Sequence, residues 1–467
     1  MQRLPRWTLA ITAIAIFMVS LDNLVVSTAL VSIREDLGAS LEALEWTVNA
    51  YTLAFAVFLL TGAALGDRSG RRRMFIVGLG IFTAASAAAA LAPSTGALIA
   101  ARGIQGLGAA IVAPLSLTIL SAATTPEKRG PALGIWSGIS GLGVALGPLV
   151  GGLVIEGISW HWIFWLNVPI GLVLAPLAFR RLDETRGPVS RLDLTGLALG
   201  SLGLFGVVFG VVRGNEAGWD ALEVVGPIAA GAILLVAFIA WELRTPAPML
   251  PMRFFRQRAF SATNGVSFAM TFGMFGAIFL LAQFFQAVQG YSPLEAGLRT
   301  LPWTGMPMLV APIAGVLSDR LGSRPLMATG LFLQAIALGW LAVVTATDVA
   351  YSVLVPAFVM GGTGMALVFA PAANAVLGAV RPEEAGQASG ANNAIRELGG
   401  VLGVAVLAAV FAGAGSYATP QSVVDGLIPA LWVGAATLLL GGLVALLVPG
   451  RARQAARAEV GAAPVAA

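Results

Sequence analysis

A chain of 467 residues with 58% hydrophobic and only 11% charged residues has too little polar surface to fold as a soluble protein. It contains no cysteine, which excludes disulfide bonds, thiolate metal sites and a cysteine nucleophile. A net charge of +4 suits nucleic-acid binding, but the basic residues fall in short clusters between apolar runs, so no nucleic-acid partner is expected.

Fourteen apolar runs are long enough to cross a bilayer, since a helix spans the hydrocarbon core with about 20 apolar residues. The first run is too long for a signal peptide and is expected to be retained as a helix. In chain order the predicted spans are 7–30, 46–66, 74–92, 97–120, 133–155, 162–179, 193–212, 225–242, 260–282, 300–317, 325–345, 350–371, 391–413 and 428–448. The pattern predicts an all-α membrane protein.

The basic residues test this topology independently. With a cytoplasmic N-terminus, all but four of the 27 fall in inner loops or tails, Arg396 being counted with the loop before the thirteenth span. The exceptions are Arg34, Arg213 and Arg299 in outer loops and Arg102 within a span. Such a bias is the positive-inside rule. It predicts a multi-pass protein of the bacterial cytoplasmic membrane with both termini in the cytoplasm.

Asp22 in the first span is the one carboxylate predicted well inside an apolar run. Burial disfavours the charged form of a carboxylic acid, so this position suits the binding and release of a proton. A structural hydrogen-bonding acid, or a position near the outer interface, is the alternative.

The loop after the second span joins acidic and basic residues. Gly70 permits a tight turn, and Arg68, Arg71 and Arg72 suit the anionic inner leaflet. Asp67 can pair with these arginines or lie at a helix N-terminus. A topological anchor without a dynamic role is the alternative.

The same loop pattern returns after the tenth span, where Asp319 and Arg320 stand 252 positions after Asp67 and Arg68. Two six-helix units with two helices inserted between them explain this offset, and repeated units with a site at their interface are common in secondary transporters. The predicted domains are an N-terminal bundle at 1–187, two inserted helices at 188–250, a C-terminal bundle at 251–450 and a cytoplasmic tail at 451–467.

Arg102 and Gln105 lie in the fourth span, three residues apart on one helix face. An arginine inside a span costs about 2.5–3.5 kcal/mol unless it reaches the interface or a polar cavity. The pair therefore predicts a shared polar surface, with snorkelling of Arg102 to the outer interface as the alternative.

The fifth span carries a ridge of small residues. Gly143, Gly147 and Gly151 recur every fourth position and allow a close approach of helix backbones, while Pro148 permits a bend and Gly152 extends the run. Ordinary tight packing is the alternative to a role in transport.

These stretches resemble the major facilitator superfamily, in particular its fourteen-helix branch of drug:proton antiporters. The resemblance covers almost the whole chain and is carried by Leu21-Asp22-Asn23-Leu24-Val25-Val26-Ser27-Thr28-Ala29-Leu30, Gly66-Asp67-Arg68-Ser69-Gly70-Arg71-Arg72-Arg73, Arg102-Gly103-Ile104-Gln105-Gly106 and Gly147-Pro148-Leu149-Val150-Gly151-Gly152. The chain departs from the branch at Leu24, Ser27, Val31 and Ala63.

The resemblance implies the major facilitator fold and proton-coupled export of small amphipathic compounds by alternating access. It implies that the loop at Asp67 and its second copy gate the cytoplasmic side. It further implies that Asp22, Arg102 and Gln105 couple proton and substrate, and that the Gly-Pro-x-x-Gly-Gly pattern marks antiport.

Polar residues in the C-terminal spans are candidates for the substrate cavity: Asn264, Gln283, Gln286 and Asn374. No Asp or Glu is predicted deep in a C-terminal span, which favours neutral, weakly charged or monocationic substrates. The chain lacks an ATP-binding loop of the Walker type, so a proton gradient is the expected energy source, with no cofactor or metal. We expect a monomeric transporter in the lipid bilayer and not an enzyme. An uptake symporter of the same fold and a non-transporting membrane sensor remain the alternatives.

Overall fold

The computed structural model describes residues 6–186, 193–380 and 384–450, and every regular element in these ranges is helical. The first half contains α1 (Arg6–Leu37), α2 (Leu41–Ser69), α3 (Arg71–Ala90), α4 (Thr95–Ala123), α5 (Pro126–Gly157), α6 (Trp162–Trp165) and α7 (Asn167–Arg181). The remainder contains α8 (Leu194–Ala217), α9 (Leu222–Glu242), a 3₁₀ turn (Met252–Arg256), α10 (Arg258–Ala287), α11 (Pro293–Leu321), α12 (Ser323–Val344), α13 (Tyr351–Leu377), α14 (Ala385–Ala414) and α15 (Pro420–Ala445).

The predicted fourteen-helix membrane architecture is confirmed. Thirteen helical stretches are long and apolar enough to cross a membrane, with α6 and α7 counted together as Trp162–Arg181. The remaining predicted span is α5, a helix of 32 residues in which several side chains lie outside the described part of the chain. Most helices extend beyond the apolar runs because their polar ends continue the helix outside the hydrocarbon layer.

Two matching turns show that the sequence repeat is also a structural one. Gly70 ends α2 and Gly322 ends α11, with φ values of +107° and +84° that favour glycine. Their N–H groups donate to the carbonyls of Gly66 and Ser318, at 3.0 Å and 2.9 Å. The two sites are 252 positions apart, which is the offset of the loop motif.

The two sets of six spans also pack in the same order. In the first, α1 packs on α5, α2 on α4, and α3 on both α4 and α7. In the second, α10 packs on α14, α11 on α13, and α12 on both α13 and α15. Two equivalent seams join the sets, since α5 packs on α11 and α14 packs on α2. This exchange symmetry is typical of transporters built from parallel repeats.

The inserted helices α8 and α9 form a hairpin beside one of these seams. Val208 of α8 lies in one buried apolar cluster with Leu53 of α2 and Val401 of α14. Helix α9 packs on α8 and exposes most of its apolar side chains, as a helix that faces lipid does. The hairpin therefore covers the α2–α14 seam.

The structure corrects one element of the charge argument. Arg396 is the twelfth residue of α14, which begins at Ala385, and does not lie in an inner loop. Several other basic residues of the predicted inner loops and tails lie outside the described residues, namely Arg3, Arg191, Arg381, Arg451, Arg453 and Arg457. The predicted boundary at 187/188 and the tail at 451–467 also lie outside them. The two ends of the helix bundle are named after the predicted orientation. The end with the α2–α3 turn is called the cytoplasmic end, and the end with the α1–α2 turn is called the outer end.

Candidate transport site

A buried ion pair joins α1 and α4 in the N-terminal half. Asp22 is the seventeenth of the 32 residues of α1 and is fully buried, and Arg102 of α4 is 1% exposed. The Arg102 Nη1 atom donates to the Asp22 Oδ2 atom over 2.6 Å. Arg102 is thus buried in the helix bundle and paired with Asp22 instead of reaching outward, which contradicts the snorkelling alternative.

Two amide side chains complete the shell around the Asp22 carboxylate. Gln105 Nε2 and Asn167 Nδ2 both donate to Asp22 Oδ1, over 2.8 Å and 2.7 Å. Gln105 also accepts from Arg102 Nη1 over 2.7 Å and donates to the hydroxyl of Ser86 over 2.7 Å. Both carboxylate oxygens thus have donors, and the surrounding dipoles stabilise the charged form of Asp22.

Helix α2 holds the arginine from the other side. Arg102 Nε donates to the carbonyl of Thr47 over 3.1 Å, and the Arg102 guanidinium lies 4.2 Å from the centre of the Tyr51 ring. Tyr51 is itself completely buried. A cation over an aromatic face is stabilised most where water is excluded, so Tyr51 helps to fix the guanidinium in place.

The structure thus brings Asp22, Arg102 and Gln105 together and adds residues that sequence reasoning did not assign to the site. Asn167 is a polar residue in an otherwise apolar stretch at the beginning of α7, a signal that could have identified it. Ser86 lies in an alanine-rich run and offers no such signal.

The glycine ridge of α5 packs directly on α1, on both sides of Asp22. A Cβ at Gly143 would lie 2.7 Å from the carbonyl oxygen of Phe17, and one at Gly147 would lie 3.0 Å from Leu24 Cβ. A Cβ at Gly151 would collide with the Thr28 hydroxyl. The three glycines therefore let α5 approach the helix that carries the buried acid.

Two other residues of this motif face the opposite half of the molecule. A Cβ at Gly152 would collide with the carbonyl of Pro293 at the beginning of α11. A Cβ at Gly297 of α11 would in turn collide with the carbonyl of Pro148. Helix α5 is consequently sandwiched between α1 and α11, and glycines allow the close approach on both sides.

The loop at Asp67 is bound to its own half of the molecule. Arg71 Nε donates to Asp67 Oδ1 over 2.8 Å, and the backbone N–H of Arg72 donates to Glu184 Oε1 over 3.0 Å. A Cβ at Gly70 would lie 2.7 Å from the same Glu184 oxygen, so the turn needs glycine for space as well as for its φ. Glu184, which follows α7, was not singled out from the sequence.

Two other residues of the predicted cytoplasmic gate lie at the surface. Arg68 is exposed, as is Arg320 at the end of α11. The side chain of Asp319 lies outside the described part of the structure. The second loop therefore shows the same turn, at Gly322, and its predicted acidic partner stays a prediction.

The four predicted cavity residues of the C-terminal half do not come together. Asn264 lies 19 residues before Gln283 on α10, or about 28 Å along the helix at 1.5 Å per residue. Asn264 accepts a hydrogen bond from Asn392 Nδ2 over 3.0 Å, near the cytoplasmic end. Gln286 donates to the carbonyl of Thr28 over 3.1 Å, near the outer end. Asn374 is exposed on α13.

The outer end is closed by contacts between the two halves. Ser292 donates to Glu156 Oε2 over 2.7 Å. The guanidinium of Arg34 lies 4.5 Å from the centre of the Tyr417 ring, and Tyr417 donates to Gln283 Oε1 over 2.5 Å. Burial raises the pKa of the Tyr417 phenol, so it keeps the proton that it donates.

A buried acid in α14 contradicts the expectation that the C-terminal spans carry none. Glu397 is the thirteenth of the 30 residues of α14 and is 6% exposed. Its Oε1 atom lies 3.6 Å from Arg396 Nη2, while its buried Oε2 atom has no hydrogen-bond partner among the described residues. The run of Gly, Ala and Asn before it hid the beginning of the helix from sequence reasoning.

Comparison with known proteins identifies the family to which this architecture belongs. Residues 12–404 and 267–463 match the model of the Major Facilitator Superfamily. The chain is 38% identical over 472 residues to the cephamycin export protein CmcT of Amycolatopsis lactamdurans, covering 98% of this chain and 95% of that one. It is 35% identical over 411 residues to the tetracenomycin C resistance and export protein of Streptomyces glaucescens, covering 87% and 76%. It is also 35% identical over 475 residues to the puromycin resistance protein pur8 of Streptomyces alboniger, covering 98% and 94%.

Solved structures show the same fold at low sequence identity. An auto-inhibited peptide transporter of the POT family aligns with a TM-score of 0.69 at 18% identity, covering 98% of this chain and 97% of that one. The xylose transporter XylE from E. coli, in a partially occluded inward open conformation, aligns with a TM-score of 0.65 at 14% identity, covering 97% and 99%.

The two repeated helical bundles, the family match and the exporter names of the relatives define a multi-pass membrane transporter and not an enzyme. The chain belongs to the major facilitator superfamily, in agreement with the resemblance of its sequence motifs.

Proposed function

We propose that this protein exports small amphipathic, drug-like compounds across the bacterial cytoplasmic membrane in exchange for protons. It works by alternating access as a monomer, with both termini in the cytoplasm and the proton gradient as its energy source. The names of its relatives support export of antibiotic-like compounds. The positive-inside bias supports the orientation.

The buried Asp22–Arg102 pair is the observation that carries the proposal. Protonation of Asp22 removes the negative charge that holds Arg102, Gln105 and Asn167, so one proton changes the whole network. Breaking one side of a buried ion pair costs about 3–5 kcal/mol, which is large enough to shift a conformational equilibrium. Asp22 therefore exchanges a proton for substrate, with Arg102 and Gln105 lining the adjoining cavity.

The helix contacts indicate how this change reaches the seams. Helix α1 carries Asp22 and packs on the ridge of α5, which also touches α11 at Gly152. We assign residues 1–187 and 251–450 to two bundles that rock at this ridge, and 188–250 to a hairpin beside them. The loop at Asp67 and its copy at Asp319 act as the cytoplasmic gate.

Growth protection tests export directly. A bacterial host that lacks its own efflux pumps and expresses this chain is expected to tolerate more of at least one compound in a panel of puromycin, ethidium and chloramphenicol. The compound with the largest effect then serves as the probe. Unchanged tolerance to every member, with the protein present in the membrane, would contradict the proposal.

Proton release tests the coupling. In weakly buffered detergent solution at mildly acidic pH, binding of the probe is expected to release protons from the wild type. Asp22→Asn is expected to release fewer, whereas Glu35→Gln, on an exposed position of the same helix, matches the wild type. Equal release from wild type and Asp22→Asn would show that Asp22 is not the coupling acid.

The direction of transport separates export from uptake. In everted membrane vesicles an exporter moves the probe into the lumen against its gradient, and an uptake symporter moves it out. A protein that only senses the compound binds it and moves it in neither direction.

A further inference from the structure

Glu397, another buried carboxyl group, lies where the two halves of the molecule meet. Helix α14 packs on α2, and Leu398, the next residue, contacts the buried cluster around Leu53 and Val401. An unpaired charge in such a place is expensive, since leaving even a neutral buried polar group without a partner costs about 1–3 kcal/mol. Glu397 therefore needs either a partner or a proton.

The neighbouring charges do not supply that partner. Arg396 is nearest, but 3.6 Å between its Nη2 atom and Glu397 Oε1 is too long for a good hydrogen bond. The Arg396 guanidinium instead lies 5.2 Å from the Phe369 ring centre and lines a polar cavity with Asn392. On α2 the titratable neighbour is Tyr51, whose ring also lies against the Arg102 guanidinium that pairs with Asp22. On α10 the nearest contact is Thr271, which donates to the Arg396 carbonyl.

An amide side chain beside Glu397 also has an oxygen atom without a hydrogen-bond partner. The side chain of Asn23 of α1 hydrogen-bonds to the Glu397 carboxyl group through its amide N–H. Its buried Oδ1 atom, like Glu397 Oε2, has no hydrogen-bond partner among the residues that the structure describes. The Asn23 amide N–H thus serves one carboxyl oxygen, while Asn23 Oδ1 and Glu397 Oε2 are both acceptors and cannot pair with each other. One proton added to Oε2 turns it into a donor to Asn23 Oδ1 and satisfies both atoms.

We propose that Glu397 is a second proton-binding group of the transport cycle, coupled electrostatically to Asp22 across Tyr51 and Asn23. The inference rests on the proposed function, because it adds an acid to a proton-coupled exporter. In this outward-closed arrangement Asp22 is ionised and Glu397 is protonated, with its O–H donating to Asn23 Oδ1.

The proton balance of the step is simple. The Oε2–H bond forms with a proton from the aqueous phase that reaches the seam, and it breaks when the seam opens to the other side and water takes that proton. The absence of acids from the C-terminal spans was the reason to expect no dicationic substrates. Glu397 removes that reason, because it is a buried carboxyl group in a C-terminal span. Two groups that each lose a proton can balance two positive charges on a substrate.

Infrared spectroscopy of the purified protein in lipid nanodiscs tests the proposal without any substrate. A protonated carboxyl group gives a carbonyl stretch apart from the amide bands. Glu45 and Glu242 are also buried and add to this band, so the Glu397 component is obtained as a difference from the Glu397→Gln spectrum. We expect this component in the wild type and in Glu35→Gln, and its persistence in Asp22→Asn. In a pH titration the band of Asp22→Asn is expected to disappear at a lower pH than that of the wild type. Removing the negative charge of Asp22 while Arg102 stays positive makes ionisation of Glu397 easier.

Two further variants keep the test decisive. Glu397→Asp is expected to retain a carboxyl band, and Asn23→Ala to shift its frequency because the acceptor is gone. A thermal melt of each variant verifies that it is folded. If the wild type and Glu397→Gln have the same carboxyl spectrum at every pH, Glu397 is ionised and bonded to the Asn23 amide N–H, and the proposal fails. That result would leave the role of Asp22 intact, while equal proton release by Asp22→Asn would overturn the proposed function and leave the Glu397 band in place.

Discussion

Two of the buried acids, Asp22 and Glu397, lie in opposite electrostatic surroundings. Asp22 has a guanidinium and two amide donors around both carboxylate oxygens. Glu397 has one distant arginine and an oxygen without a partner in the described structure. The N-terminal half therefore holds a charge in place, whereas the C-terminal half provides a site that a proton completes. A carboxyl group deep in a membrane protein can thus be stabilised in either form, depending on its neighbours.

The two seams between the halves differ in a related way. At the α5–α11 seam, Gly152 and Gly297 leave only backbone groups in contact. At the α2–α14 seam, larger apolar side chains such as Leu53 and Val401 meet and α8 covers them. Helix α1 packs on the glycine seam through α5, so a change at Asp22 acts where the packing depends on small residues.

Removal of the arginine should have the largest effect. Arg102→Met leaves the Asp22 carboxylate buried without its counter-charge, and we expect a loss of stability of about 3–5 kcal/mol. Glu397→Gln should be close to neutral by comparison, because the protonated acid and the amide are both uncharged. Unfolding in detergent measures the stability of both variants. If Arg102→Met is as stable as the wild type, the Asp22 carboxylate does not depend on its counter-charge and the contrast with Glu397 is wrong.

Loss of one amide donor should weaken the same network less. Asn167→Leu keeps a similar volume but removes a hydrogen bond to a charged group, which contributes about 1.5–3 kcal/mol. We expect transport to become less steeply dependent on pH while substrate binding persists. The control is Asn264→Leu, because the native Asn264 side chain forms its hydrogen bonds far from Asp22. This variant should leave the pH profile of transport unchanged.

Filling the glycine ridge tests whether α1 and α5 must touch. Gly151→Leu places a side chain where even a Cβ collides with Thr28, and overpacking of this kind costs about 1–3 kcal/mol. Gly141→Leu, where a Cβ meets no atom within 4 Å, is the matched control on the same helix. Transport by Gly151→Leu should fall far below that of Gly141→Leu. Equal rates would mean that the close approach is not needed.

The smallest effect is expected at the cytoplasmic turn. Glu184 accepts from the Arg72 and Arg73 N–H groups at the beginning of α3, as a capping side chain does. Replacement of such a cap costs about 0.5–2 kcal/mol, and Glu184→Gln should lie at the lower end because the amide oxygen still accepts. Faster backbone hydrogen exchange confined to the beginning of α3 would show this loss of stability. Unchanged exchange there would contradict the capping role of Glu184.

Much of this architecture was predictable because lipid imposes simple rules. Apolar length predicts the helices, and polar residues such as Asp22 and Arg102 are conspicuous within them. Their pairing was not predictable, since it depends on how α1 and α4 face each other. The same holds for Tyr51 and Ser86, whose roles arise only from helix packing. Glu397 was missed because small and polar residues dilute the beginning of α14. Gln283 and Asn264 share a helix, but its length separates them.

Proton-driven accumulation in everted vesicles tests the central claim most directly. With an imposed pH gradient, wild-type protein should concentrate the probe compound in the lumen and lose it when the gradient is collapsed. Asp22→Asn should still exchange the probe down its concentration gradient but should not concentrate it. Accumulation by Asp22→Asn equal to that of the wild type would contradict the account, because the buried pair would then not carry the coupling.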